Sequence, residues 1–396
     1  MASALEGLLV LDLSRHLAGP YCGMMLGDLG AEVIKIERPG GGDETRQWGP
    51  PFVGGESAYY LCTNRNKKSV TLNLKSARGI ELARALARSA DVIIENFGAG
   101  GAERLGLGFE TLRATNPRLV YCSITGFGQT GPDRELGGYD LLIQARGGLM
   151  SITGEPDGPP LKVGAALIDV FAGLFACNGI LAALAARTHT GQGQYVDIAL
   201  LDSLVATLVN VGSSYLVSGR VPERWGNAHA SIVPYQVFQA ADGYFALAIG
   251  NDGQWQRFCV AAGQPELAND SRFATNPARV AHRAELVPML DVMFAARNVE
   301  DWRRLCASAD VPGGPVNALD QVFADPQILA RNMRVEVPHP TAEKLPLAGT
   351  PLKLSATPAT ITSPPPLLGE HTQEILRERL GLSAAEIDEL RGSGVV

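Results

Sequence analysis

Residues 8–39, LLVLDLSRHLAGPYCGMMLGDLGAEVIKIERP, decide the architecture. Leu8 to Leu13 is a short apolar run, the pattern of a strand buried on both faces. A loop follows, punctuated by Ser14, Gly19 and Pro20. Tyr21 to Leu29 reads as a helix stopped by Gly30, and EVIKIERP as a second strand ended by Pro39. Strand, helix and strand in so short a span make a βαβ unit, which implies a parallel sheet. The first turn lacks the GxGxxG fingerprint, so no dinucleotide is assigned. Glu37-Arg38 stands at the carboxyl end of the second strand, the edge where open α/β sheets bind ligands. Arg38 there suits a phosphate; the plainer reading is a surface ion pair with Glu37.

Outward from this unit the alternation repeats. SVTLNL (69–74), a helix from Ala77 to Ser89, DVIIENF (91–97), a helix from Phe109 to Thr115, RLVYCSITGFG (118–128) and YVDIALLDS (195–203) describe a doubly wound α/β layout. Asn96, Phe97 and the glycines at 98, 100 and 101 lie just past a strand end, with Arg104 close behind. GGGDETRQWGPPFVGGES (41–57) is a long glycine-rich loop. Arg65, Lys67, Lys68 and Lys75 form a local basic cluster, either a solvated loop or an anion site. Near Ser218 to His229 the chain turns polar and rich in turn formers, which marks a domain boundary. Beyond it, residues 234–250 read as a hairpin turning at Asp242-Gly243, followed by charged helices, hence a small α+β domain. Gly250-Asn251-Asp252-Gly253 reads as a lid or as a plain turn. The division expected is 1–205 for the first part of a large domain, 206–225 for a linker, 226–325 for the small domain, and 326–396 for a linker and a C-terminal segment.

Between the last two α/β elements, Val163 to Ala186 is apolar and small, interrupted by one carboxylate, Asp169. A charge in such a setting is costly unless it is capped, paired or used. Asp169 is either the N-cap of a helix from Val170 to Arg187 or a catalytic carboxylate held in a dry place; a helix N-terminus permits both. The helix reads as a buried core helix, because Gly, Ala and Asn178 make it only mildly hydrophobic and no second membrane span exists. Hydrophobic residues at 46% and charged residues at 19% describe a soluble globular chain of 396 residues. A net charge of −7 argues against a general nucleic-acid binder. The N-terminus has no basic and then apolar signal pattern, and the six cysteines are scattered without CxxC, which reads as a cytoplasmic protein. The six histidines have no metal-ligand spacing.

RHLAGP, LGDLGAEVIKIERPGGGDETR, NRNKKS, DVIIENF, SITGFGQTGP, GYD, TGQGQ, RWGNAHASIVPYQVF, GPVN and PPPLLGEHT occur in the order of blocks in a known family. Through them the chain resembles the family III CoA transferases, the formyl-CoA, carnitine-CoA and bile-acid-CoA transferase group, nearly end to end. The resemblance implies an α/β fold with a Rossmann-like, CoA-binding large domain made from both chain ends and a smaller α+β domain, in an interlocked homodimer. It implies Asp169 as the catalytic aspartate, and Arg38, Leu72, Lys75, Asn96, Phe97, Arg104 and Tyr139 along the CoA cleft. CoA and acyl-CoA are then substrates, with no permanently bound cofactor and no metal, nucleic acid or membrane. The blocks look closest to the succinyl-CoA:glutarate (dicarboxylate) branch. Oxalate enzymes of the family carry Gln where this chain has Leu17, and a run of glycines missing here.

Such a reaction needs a carboxylate nucleophile, because each intermediate must stay as reactive as the thioester. A dicarboxylate's far carboxylate needs a cation or N–H donors, for which His16, Arg46, Arg65 and Arg224 are candidates by motif proximity. Two alternatives remain. An α-methylacyl-CoA racemase would need a histidine base where this chain has Tyr139, a side chain that does not ionise readily at neutral pH. A non-catalytic acyl-CoA-binding protein would not need Asp169.

Overall fold

The mostly apolar runs at 9–12, 33–36 and 92–94 do form strands covered on both sides. In the computed structural model, which describes residues 3–396, six strands build one parallel sheet: β1 (Leu9–Asp12), β2 (Glu32–Glu37), β3 (Lys67–Thr71), β4 (Val92–Glu95), β5 (Val120–Thr125) and β6 (Tyr195–Ala199). Their order is β3-β2-β1-β4-β5-β6, with Val10 of β1 opposite Val33 on one side and Val92 on the other. The chain leaves β1 first to one side and later to the other, so the order reverses between β1 and β4. At such a point the loops diverge and leave a crevice at the carboxyl ends.

Strand alternation sorts side chains between two layers. Leu9, Leu11, Ile34, Ile36 and Ile93 pack with Leu82 and Leu86 of helix α2 (Ala77–Ala87) and with Ile375 and Leu390 of the C-terminal helices. Val10, Val33, Val92 and Ile94 pack with Cys22 and Leu26 of α1 (Ala18–Asp28) and with Ile168, Ala172, Ala176 and Ile180 of α4 (Leu167–Thr190). The short α3 (Asp140–Arg146) precedes α4. Helix α1 starts earlier than expected, because Gly19-Pro20 forms its first turn; proline tolerates that position, where its missing N–H is no loss. Helix α4 extends three residues beyond the expected span at each end and is long and apolar enough to cross a membrane, yet one side of it is core. Its other side leaves Leu174 and Phe175 exposed, so it is not buried all round.

Half of the basic cluster, Arg65 and Lys67, is buried structure rather than a solvated loop. Lys67 Nζ lies 3.0 Å from Asp12 and Arg65 Nη2 lies 2.6 Å from Asp28, all four side chains being buried. Lys35 pairs with Asp43 at 3.0 Å in the same way. Removing one partner of such a buried pair costs about 3–5 kcal/mol.

This first unit comprises the chain up to Leu149, Lys162–Gly219 and Pro326–Val396. The second comprises Met150–Leu161 and Arg220–Asp325. Residues 206–218 of the expected linker are helical, in Leu200–Thr207 and Val209–Ser218, and 326–350 holds a hairpin of Arg334–His339 and Glu343–Ala348. The second unit has a three-stranded antiparallel sheet, Tyr235–Gln239, Tyr244–Ala248 and Gly313–Pro315, against an aromatic core of Phe238, Phe258, Phe294 and Trp302. At Gly250–Gly253, Asn251 caps the helix Asp252–Ala262 by accepting the Gln254 N–H at 2.9 Å; this is a capping turn.

Candidate active site

Asp169 is the third residue of α4, inside its first turn and not at its cap. The residue at the cap, Ala166, has no side chain able to accept a hydrogen bond. The cap comes from elsewhere: Asp140 Oδ1 accepts the Ile168 N–H at 2.9 Å. Asp140 Oδ2 accepts from Gln144 Nε2 at 2.5 Å, and Gln144 Oε1 accepts the Val163 N–H at 2.9 Å. Gln144 is fully buried, so the segment entering α4 is tied to α3 by a satisfied polar chain. Segment 137–140 reaches this place because Gly138 lies backbone to backbone against Gly126, just past β5. A Cβ on Gly138 would stand 2.4 Å from the Gly126 Cα.

With the helix end already capped, the Asp169 carboxylate has no hydrogen-bond or ion-pair partner among the described residues. Burial, and then the negative charge of Asp140, push its carboxyl up to about 7. Tyr59 faces it from the turn Ala58–Leu61, and burial together with the Asp169 charge pushes that phenol up to about 12. From Tyr59 a line of rings continues. Trp48 meets Tyr59 edge-on at 5.1 Å, and His16 stacks on Trp48 at 5.2 Å and 11°. Tyr139 tilts against His16 at 6.0 Å and is 64% exposed, open to a ligand. His16 adopts φ +68°, a left-handed conformation that non-glycine residues enter at a cost. The Asn96 side chain holds the residue before it from both sides, accepting the Arg15 N–H at 2.9 Å and donating to the Arg15 carbonyl at 2.8 Å. Burial pushes the His16 imidazole below its ordinary value.

At the carboxyl ends of β1 to β4 lies a cleft of about 480 Å³, lined among others by Leu13, Arg15, Arg38, Leu72, Lys75 and Phe97. The structure thus brings Arg38, Leu72, Lys75 and Phe97 together, and adds Arg15. Arg38 makes no ion pair with Glu37. The Glu37 carboxylate is taken by Arg46 at 2.8 Å through two guanidinium nitrogens and by Ser69 at 2.6 Å. Arg38 and Lys75 are exposed, without a carboxylate partner among the described residues. Phe97 is fixed by its N–H, which donates to Glu95 Oε2 at 2.8 Å; burial pushes that carboxyl up to about 7. Asn96, Arg104, Tyr139 and Asp169 do not line this cleft. Arg104 donates to the Ala99 carbonyl at 3.4 Å.

Of the four side chains expected to meet a far carboxylate, His16 alone stands in the ring line beside Asp169. Arg46 is buried, paired with Glu37 and Glu56 and lying 3.7 Å over the Tyr60 ring. Arg65 is spent on Asp28 and on the Ala348 carbonyl at 2.7 Å. Both are structural pairs, which corrects the expectation. Arg224 belongs to the second unit, where its guanidinium holds the carbonyls of Glu155, Pro156 and Gly158. Asp140, Tyr59, Trp48 and Arg15 were not singled out, although each lies within or beside a recognised block. What marks them is partnership across the chain, which no local pattern carries. Among the described residues no group of three or more His, Cys, Asp or Glu side chains could hold a metal ion.

A model described as CoA-transferase family III matches residues 5–372. The succinate--glutarate CoA-transferase of Agrobacterium fabrum is 48% identical over 380 residues, covering 94% of this chain and 95% of that protein. The succinyl-CoA:glutarate CoA-transferase of Homo sapiens is 45% identical over 392 residues, 99% of this chain and 90% of that one. The crystal structure of a CAIB/BAIF family protein from Brucella suis matches with a TM-score of 0.87 at 46% identity, over 96% of this chain and 100% of that chain. The doubly wound sheet with its crevice at the β1/β4 reversal, the unpaired carboxylate on α4 and these matches along nearly the whole chain agree: the chain belongs to CoA-transferase family III.

Proposed function

We propose that this chain moves CoA from succinyl-CoA to glutarate or a closely related dicarboxylate, with Asp169 as the nucleophile. The observation that carries the reading is the Asp169 carboxylate, unpaired in the first turn of α4 and basic enough to be half ionised near neutral pH. The names of the relatives from Agrobacterium fabrum and Homo sapiens support the substrate pair.

Asp169 attacks the thioester carbonyl of succinyl-CoA. The carbon–sulfur bond breaks, giving a mixed anhydride and the CoA thiolate. The thiolate then attacks the aspartyl carbonyl, forming an aspartyl-CoA thioester and releasing succinate. The acceptor carboxylate attacks that thioester, again through an anhydride, and the thiolate returns to the acceptor's acyl carbon. No water is consumed, so the site must exclude it. A carboxylate is a weak nucleophile, and positioning supplies much of the rate. Arg38 and Lys75 offer unpaired charge to phosphates in the cleft, Leu72 and Phe97 offer apolar walls, and Asn96 acts by holding the Arg15–His16 turn. Arg104 and Tyr139 stand as further contacts beyond the cleft lining. His16 is the remaining candidate in this unit for the acceptor's far end.

The exposed apolar residues Leu174 and Phe175 on α4, with Val209, Leu216 and Val217 on the helix Val209–Ser218, support a homodimer that covers them. The interlocked form is the family's expectation. Six free thiols, all but Cys62 buried, support a reducing, cytoplasmic setting.

The test is CoA exchange. Purified protein is incubated with succinyl-CoA and glutarate, itaconate, malate, citramalate or oxalate, and the acyl-CoAs are read by mass spectrometry. Glutaryl-CoA from the wild type and none from Asp169→Ala is the expected result. Exchange that survives Asp169→Ala overturns the reading. α-Proton exchange on a branched acyl-CoA without transfer would replace it by a racemase.

A further inference from the structure

Most carboxylates in the first turn of a helix satisfy themselves on the free N–H groups there. Asp169 does not, and the reason lies 29 residues earlier in the chain, in Asp140. We infer that Asp140 is the positioning residue of the transfer: by capping α4 at Ile168 it occupies the donor Asp169 would otherwise fold back upon, and it opposes the nucleophile with a like charge. The inference rests on Asp169 being the nucleophile.

The geometry is specific. Each Asp140 oxygen has its own donor, Ile168 N–H for one and Gln144 Nε2 for the other. Asp140 therefore accepts two hydrogen bonds from donors that cannot turn away, since one is backbone and the other is a buried amide whose oxygen is itself anchored on Val163. Asp169 receives no such bond. Of two neighbouring carboxylates, one is satisfied and the other is left with the cost of burial. Two titratable groups face Asp169: Asp140, from the start of α3, and Tyr59, from the turn Ala58–Leu61. Tyr59 is a neutral phenol throughout the working range, so Asp140 is the charge that, after burial, raises the nucleophile's proton affinity. A more basic carboxylate is a better nucleophile, at the cost of being protonated sooner as pH falls.

The experiment follows aspartyl-CoA formation in a single turnover with succinyl-CoA, by quenching and intact-protein mass spectrometry, from about pH 5 to about pH 9. Asp140→Asn keeps an oxygen for the Ile168 N–H and removes the charge. Its acid limb should move down by about one pH unit, so that at about pH 6, relative to its own alkaline plateau, it forms the adduct roughly fivefold faster than the wild type. The asparagine amide would face the Gln144 amide, donor to donor. Asp140→Asn with Gln144→Glu restores every hydrogen bond, moves the charge from position 140 to position 144, and serves if the single variant folds poorly. Its acid limb should lie between those of the other two proteins. An unchanged limb in both variants, whatever their rates, overturns the inference. Absence of any adduct in the wild type, by contrast, removes the nucleophile reading itself.

Discussion

At the scale of single residues, Asp169 is a site where function and stability oppose each other. Its carboxyl is pushed up to about 7 from an ordinary value near 4 by burial and by Asp140. A carboxyl whose native pKa exceeds its unfolded one binds more protons folded than unfolded between those two values. Stability therefore falls as pH rises through that window, and the loss is complete above about pH 7. Asp169→Asn removes the loss. At about pH 8 that variant should be more stable than the wild type, by up to roughly 4 kcal/mol and less where water screens the group, while transfer disappears. The advantage should shrink to about 0.5 kcal/mol at about pH 4, where the wild-type carboxyl is protonated in the native state and half protonated in the unfolded one. Thermal melts of the two proteins at both pH values check this; a variant less stable than the wild type at about pH 8 would contradict it.

At the scale of elements, α4 is placed by its close approach to α1. A Cβ on Gly173, one turn after Asp169, would lie 2.7 Å from the Ala18 carbonyl oxygen and 3.1 Å from the Tyr21 ring. Gly173→Val must push the two helices apart. It should cost about 1–3 kcal/mol and slow adduct formation, because the nucleophile rides on the displaced helix. Unchanged melting and an unchanged rate would show that α4 is held by other contacts. The elements themselves were legible because strands covered on both sides carry mostly apolar runs, as in VII (92–94) and VIKI (33–36). The start of α4 was not, since Ala166 has no capping chemistry and its cap is donated by α3. The cleft's chemistry was half legible. Arg38 and Lys75 are local to strand ends, so their place follows from the βαβ pattern. Arg65 and Lys67 looked equally available, but Asp28 and Asp12 reach them only after the sheet is assembled. Periodicity sees burial along one element; it does not see which charge another element will bring.

At the scale of the molecule, the exposed apolar side chains of the helices 200–207 and 209–218 need a cover. Val205, Val209, Leu216 and Val217 are each more than half exposed. A second copy of the chain is the proposed cover. Light scattering should give twice the chain mass for the wild type, and Leu216→Glu with Val217→Glu should shift the population toward monomer or aggregate. A monomeric wild type would contradict the dimer without touching the chemistry of Asp169. The covalent chemistry of Asp169 is open to direct observation. The protein is incubated with succinyl-CoA in the absence of an acceptor, quenched in acid, digested and mapped by mass spectrometry. The account predicts CoA in thioester linkage on the peptide containing Asp169, discharged to glutaryl-CoA when glutarate is added before the quench. CoA on any other residue, or succinyl-CoA consumed to glutaryl-CoA with no covalent adduct at Asp169, would contradict it.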